Sequence, residues 1–251
     1  MTGASSGIGA EVTRRLALAG TQVVMLARDT DRMRAIADRY DSPQPAVIVT
    51  DLRDVKSVNR AFEEIDKKFS RIDLLCTAAG IFHEATHIAQ QSDEVWSDII
   101  ETNLTGVMRC IRAAWPLLSE DAAIVTIGSV LGAMSQPGVG AYAASKAALA
   151  ALTRTVASEG ANRGIRANML VPGMVRTPMN QRMADASGNP DEWWRSRLTS
   201  VPLGRAAEPA EIAEMVCWLA GEHGKFITGT EICLDGGTLL RSGEMRSTGE
   251  S

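Results

Sequence analysis

Apolar positions along this chain change their period again and again. Ile8, Val12 and Leu16 recur at helical spacing and stop at Gly20, which predicts a helix closed by a glycine. TQVVMLA then reads as a short β-branched strand, DTDRMRAIADRY as a helix with an Asp/Thr start, and PAVIVT as another strand. A helix over Val55 to Phe69, a strand over Asp73 to Thr77 and one long helix from about Glu94 to Ala114 follow. The second half predicts strands at Ala123 to Ile127, Arg166 to Val171 and Glu231 to Leu234, and helices at Tyr142 to Asn162 and Pro209 to Ala220.

Strands alternating with helices place the chain in the α/β class, as a doubly wound parallel sheet covered on both faces. In such sheets ligands lie beyond the carboxyl ends of the strands. At 251 residues the chain can bury a full core as one domain, expected over residues 1–240. Arg241 to Ser251 lose the apolar pattern and are expected to form a polar tail.

Composition narrows the partners. A net charge of −4, with basic residues scattered among acids, offers no field for nucleic acid or an anionic membrane. No apolar run reaches the ~18 residues of a membrane span, and no basic-then-apolar leader opens the chain, so the expected location is cytoplasmic. Cys76, Cys110, Cys217 and Cys233 stand singly in apolar runs, as free thiols of a reducing compartment do.

Candidate chemistry begins at the first residues. Gly3, Gly7 and Gly9 form a G-x-x-x-G-x-G turn before a helix, where glycines permit close backbone approach and free N–H groups meet phosphate. An ordinary turn is the plain alternative. Such a turn normally follows a strand, and only Met1 precedes it; the expectation is that a longer natural chain begins roughly ten residues earlier, enough for a strand. After the next strand, Ala27 stands where an acidic residue would bind a ribose 2′-hydroxyl, and Arg28 follows it. A guanidinium in place of a carboxylate favours a 2′-phosphate, hence NADP(H), with NAD(H) as the alternative. Asp51 can accept from an adenine amino group or cap the next helix.

A second cluster lies in GSVLGAMSQPGVGAYAASK. Tyr142 and Lys146 share one helix face, and an ammonium beside a phenol favours the phenolate, bringing it toward the range of an acid/base catalyst. Ser129, just past a strand end, can donate to a carbonyl oxygen. A surface pair on a helix is the competing reading of Tyr-x-x-x-Lys alone.

Together these stretches resemble the short-chain dehydrogenase/reductases, of 3-oxoacyl-ACP-reductase-like sequence type. The resemblance rests on TGASSGIG at Thr2 to Gly9, Asn103 in ETNLTG, Ser129, Tyr142-x-x-x-Lys146, VPGMVRTPM from Val171, and PLGR, ITG and LDGG between Pro202 and Gly237. It implies a seven-stranded Rossmann-type sheet and hydride transfer between a nicotinamide and the carbonyl or secondary alcohol of a small molecule. Tyr142 would exchange the proton, Lys146 would also bond the nicotinamide ribose, Ser129 would orient substrate and Asn103 would hold a relay water. The cofactor would rest on Gly3, Ser5, Ser6, Gly7, Ile8 and Gly9, with Arg28, Asp51 and Leu52 at the adenosine end. Ala78, Ala79 and Gly80, then Pro172, Gly173, Val175 and Thr177, would line the rest alongside Tyr142 and Lys146. Relatives are commonly homotetramers or homodimers.

The chain departs from the family where N-N-A-G is usual, reading Thr77-Ala78-Ala79-Gly80. Each unreplaced buried bond there is expected to cost about 1–3 kcal/mol of stability while sparing the chemistry. Other readings compete. His83 to His87 spell H-E-x-x-H, a zinc motif if helical. Trp193 and Trp194 either line a substrate lid or pack elsewhere. A carrier-protein substrate would call for basic residues at the entrance, where Arg163 and Arg166 are the candidates; a small free ketone or alcohol ranks above it. The alternative from another class is a catalytically impaired nucleotide-binding or interaction module, which the missing first strand would favour.

Overall fold

The computed structural model describes residues 1–41, 43–134 and 136–240; the expected tail over 241–251 lies outside them. Six strands and nine α-helices alternate along the described residues. Strands β1 (Val24–Ala27) and β2 (Ala46–Val49) pair in parallel. Strands β3 (Ile72–Thr77), β4 (Leu118–Ile127), β5 (Arg166–Pro172) and β6 (Glu231–Leu234) form a second parallel set in sequence order.

Two residues join the sets. Thr2 bridges both Leu26 of β1 and Thr77 of β3. Its N–H donates to Cys76 O, Met1 O accepts from Leu26 N, and Gly3 N donates to Leu26 O. Met1 and Thr2 thus hold the central place of the strand expected before the glycine turn. They are too short to count as a strand, which is why six are seen where the family resemblance implies seven. From Thr2 the chain moves outward to β1 and β2, then crosses back to β3 on the other side; a ligand crevice opens where winding reverses in this way.

Alternate strand residues feed two cores. One face carries Leu26, Leu75, Ile124 and Met169, packed by α3 (Val55–Phe69), α5 (Gly106–Ala114) and α6 (Gly140–Gly160). The other carries Met25, Cys76, Val125 and Leu170 under α1 (Gly7–Leu18), α2 (Thr30–Ala37) and α9 (Pro209–Ala220). Both faces of the sheet are therefore dry, as the near-continuous apolar strands require.

The expected long helix near Glu94 to Ala114 is interrupted. Helix α4 (Asp93–Ile100) passes through a π-helical turn at Glu101–Thr105 before α5. Such turns widen the ladder and re-aim a side chain; here Asn103 sits in it, fully buried. Two short helices absent from the periodicity reading, α7 (Pro178–Ala186) and α8 (Pro190–Leu198), pack on each other above the strand ends. Each starts with proline at its first position after a polar cap, Thr177 and Asn189.

Arg163 and Arg166 do not face a partner. Arg166 is only 7% exposed and donates to Leu219 O and Gly224 O, closing the end of α9, while Arg163 donates to Trp115 O and Leu118 O. Orphan carbonyls at element ends claim both guanidinium groups. Among the described residues no helix is long and apolar enough to cross a membrane.

Candidate active site

A single cavity of about 720 Å³ lies along the carboxyl ends of the strands, and nearly all residues expected at the site line it. The glycine turn from Gly3 to Gly9, Arg28, Asp51, Leu52, Ala78 and Ala79 form one end. Ser129, Tyr142, Lys146, Pro172, Gly173, Val175 and Thr177 form the other. Asn103 stands just behind the wall.

The turn is packed so closely on the protein's own backbone that two of its glycines have no room for a side chain. Gly3 has φ +66°, and a Cβ there would lie 2.6 Å from Ala79 N; a Cβ on Gly9 would lie 2.2 Å from Gly3 O. Ser6 caps α1 with no side-chain bond to the helix, so the first N–H groups stay available. Free amides, a positive helix end and a wall with no side chains fit a dinucleotide pyrophosphate. At the adenosine end Arg28 is exposed, and Arg32, unmarked in the sequence reading, lines the same wall while pairing with Asp29. Asp51 takes bonds from the Arg53 side chain on both carboxylate oxygens, which holds its carboxyl below the ordinary range.

At the other end three elements converge. Gly80 lies three residues past the end of β3, and a Cβ on it would meet Asn103 Oδ1 at 3.4 Å and Lys146 Nζ at 3.7 Å. Asn103 is held by Ile81, accepting from its N–H at 2.8 Å and donating to its carbonyl at 2.9 Å. Lys146 Nζ donates to Ile127 O at 2.8 Å and lies 5.6 Å from the centre of the Tyr142 ring, with Phe82 edge-on to that ring at 5.1 Å. Ser129 Oγ accepts from Leu131 N and starts a tight turn that packs on α6.

Burial decides the protonation states. It lowers the Lys146 pKa to about 8 and raises that of the Tyr142 phenol, with Ser129 acting the other way. Desolvation is the leading influence on the phenol and favours its neutral form, the form that donates a proton.

The departure at Thr77 leaves a trace. Thr77 Oγ1 is buried without a hydrogen-bond partner, whereas Thr2 Oγ1 accepts from Ala79 N at 3.3 Å and covers part of the deficit.

The H-E-x-x-H segment is not a helix. His83 Nε2 bonds Asp98 Oδ2 at 2.9 Å, and His87 Nδ1 accepts from Ala89 N, so the imidazoles do not share a helix face. Among the described residues no three His, Cys, Asp or Glu side chains gather as metal ligands. Of the paired tryptophans, Trp193 lines the cavity, and Trp194 lies under Arg176 while donating to Gln181 Oε1. Sequence reasoning missed the methionines Met134, Met174, Met179 and Met183, which also line the cavity, because lone methionines carry no periodic signal.

A parallel sheet with a phosphate-cradling turn at its winding reversal and, opposite, a buried Lys146 beside a half-buried Tyr142 defines a nucleotide-dependent oxidoreductase class. The comparisons with known proteins agree. A family model described as enoyl-(acyl carrier protein) reductase matches residues 3–238. The 3-oxoacyl-(acyl-carrier-protein) reductase FabG of Escherichia coli is 34% identical over 242 residues, covering 96% of each chain. Carbonyl reductase family member 4 of Danio rerio is 34% identical, over 95% of this chain and 96% of that protein. Among solved structures, a short-chain dehydrogenase/reductase from Brucella melitensis superposes with a TM-score of 0.87 at 30% identity, covering 94% of each chain. A blue fluorescent protein from a metagenomic library, solved in complex with NADPH, gives 0.84 at 30% identity over 94% of this chain and 95% of that one. This chain belongs to the short-chain dehydrogenase/reductase family and is of the 3-oxoacyl-ACP-reductase type.

Proposed function

We propose that this protein is an NADP(H)-dependent oxidoreductase acting on the carbonyl or secondary-alcohol carbon of a small molecule. The observation that carries the reading is the meeting of Tyr142, Lys146, Asn103 and Gly80 at one end of a cavity whose other end is the glycine cradle.

Bound in the cradle, NADP(H) supplies or receives the hydride. In the reducing direction Tyr142 donates its proton to the carbonyl oxygen as negative charge builds there, while the Ser129 hydroxyl donates a hydrogen bond to the same oxygen. Lys146, anchored on Ile127 O, places its ammonium beside the phenol and favours the phenolate that remains. Asn103 holds the Ile81 backbone on one side, and its π-turn keeps the carboxamide near the lysine for a relay water. Arg28, with no acid at Ala27, favours a 2′-phosphate and so NADP(H) over NAD(H). Val175 and Thr177, which line the cavity at the other end, would hold the nicotinamide carboxamide, and Arg32 would be a second guanidinium at the adenosine end.

The fully exposed Phe226 and half-exposed Trp218 support a subunit contact, as expected of a homodimer or homotetramer in the cytoplasm. The similarity to carrier-protein reductases keeps an acyl thioester as a second substrate reading. Arg166 is buried against Leu219 O and Gly224 O, and the half-buried Arg163 is held by Trp115 O and Leu118 O, which weighs against it.

The test is Tyr142→Phe. Turnover of carbonyl substrates with NADPH is expected to fall by about 10²–10⁴ while NADPH binding, read by fluorescence titration, stays within about twofold. Retained turnover would reject the assignment, and absent NADPH binding in the parent protein would favour the impaired-module reading.

A further inference from the structure

Helix α8 turns an unusual face to the cavity. Trp193, Ser196 and Arg197 line it, at the i, i+3 and i+4 positions of one stripe, and Ser200 lines it just past the helix end. The guanidinium of Arg197 stacks at 5.4 Å from the Trp193 ring, which fixes the direction of an otherwise flexible side chain. Arg182 of α7 lines the same space. Other arginines of this stretch are paired: Arg176 with Glu208, Arg195 with Glu192, Arg205 with Glu211. Among the described residues, Arg182 and Arg197 have no carboxylate within 4.0 Å.

Closing such a face over a purely hydrocarbon substrate would strip water from the Arg197 guanidinium with nothing in return, which is costly, whereas the Ser196 and Ser200 hydroxyls already donate to Trp193 O and Arg197 O. The methionines that share the lining are soft apolar surface that adapts to a chain or ring. A planar guanidinium fork matches an oxyanion better than any neutral group.

We propose that the substrate is an amphipathic anion: an oxo or hydroxy compound whose apolar body lies on the methionines and whose carboxylate or phosphate is held by Arg197, with Arg182 in support. This rests on the oxidoreductase reading above and names its substrate class. Arg197 is then the specificity-determining residue, and Trp193 its brace.

The test uses straight-chain oxo acids, their methyl esters and the matching oxoalkyl phosphates as probes. Binding is measured by calorimetry to the NADP⁺-loaded enzyme, and KM and kcat are measured with NADPH. Acids or phosphates are expected to bind about tenfold to a hundredfold more tightly than the esters. Whichever anion binds more tightly identifies the head group. Arg197→Gln should remove that preference through KM with little change in kcat, leave the esters unchanged and leave NADP⁺ affinity intact; Arg197→Lys should restore part of it.

Equal binding of acid and ester to the parent enzyme would overturn the proposal while the ester's reduction upheld the oxidoreductase reading. A loss of NADP⁺ affinity in Arg197→Gln would overturn it too, by assigning the guanidinium to the cofactor's phosphates. No reduction of any probe, neutral esters included, would overturn both.

Discussion

The floor and the lid of the cavity obey different physics. The floor, made of strand ends, the glycine turn and α6, is buried and leaves almost no freedom: Asn103 is fully buried, Lys146 is 4% exposed, and a Cβ on Gly9 would strike Gly3 O. The lid, α7 and α8, is mostly exposed, with only Ala184 fully buried across its two helices. It is pinned at its base, where Val175 bridges Ala207 and Arg176 N donates to Ala207 O. Chemistry common to a whole family suits a rigid floor, and choice of substrate suits a cover that tolerates change.

The largest effects should come from the floor. Tyr142→Phe is expected to cost turnover by orders of magnitude, as above, with an unchanged melting temperature. Gly9→Ala forces backbone apart and should destabilise by about 1–3 kcal/mol while weakening NADPH binding, read by denaturant titration and fluorescence. A well-folded, tightly binding Gly9→Ala protein would show that the floor yields as readily as the lid.

A titration sharpens the comparison. Lys146, depressed to about 8 by burial, binds fewer protons folded than unfolded between pH 8 and the ordinary lysine value of 10.5. Its contribution to stability therefore rises with pH across that window, and below it the folded state bears the cost of a buried ammonium. Cys76 and Cys110, raised to about 12 by burial, act oppositely above the ordinary thiol value of 9.0, so the parent must be compared with Lys146→Met. Lys146→Met should melt no lower than the parent at neutral pH yet lose turnover. In the free enzyme, kcat/KM for NADPH should decline above about pH 8, and Lys146→Arg should move that limb upward.

Smaller effects follow. Thr77→Val removes an unpartnered buried hydroxyl at nearly constant shape and should raise the melting temperature by about 2–4 °C, on the order of 1 kcal/mol. Trp194→Ala on the lid should change stability by no more than about 0.5 kcal/mol, since its ring meets Arg176 and Gln181 near the surface. A large loss there would mean that the lid belongs to the cooperative core.

Much of this was legible in the chain itself. Helix and strand positions followed from apolar period, because each element must bury one face or both, and the α3 range was read without error from Val55 to Phe69. The candidate residues that share the cavity were legible because glycines that admit phosphate and a Tyr four residues before a Lys are chemical requirements written locally.

Other features needed the tertiary structure. The π turn at Asn103 breaks a pattern that reads as one helix, and the polar stripe of α8 has no apolar period to announce it. That two residues, Met1 and Thr2, join the halves of the sheet depends on pairing with Leu26 and Thr77, far away in sequence. Whether His83 meets a metal or Asp98, whether Arg166 meets a partner or two carbonyl groups, and whether Tyr142 feels its lysine or its burial more strongly are questions of surroundings. Local order along the chain determined the elements and their chemistry, because periodicity and motif spacing are properties of neighbours in sequence. Desolvation and hydrogen-bond partners are properties of neighbours in space, so only the packed fold decided them.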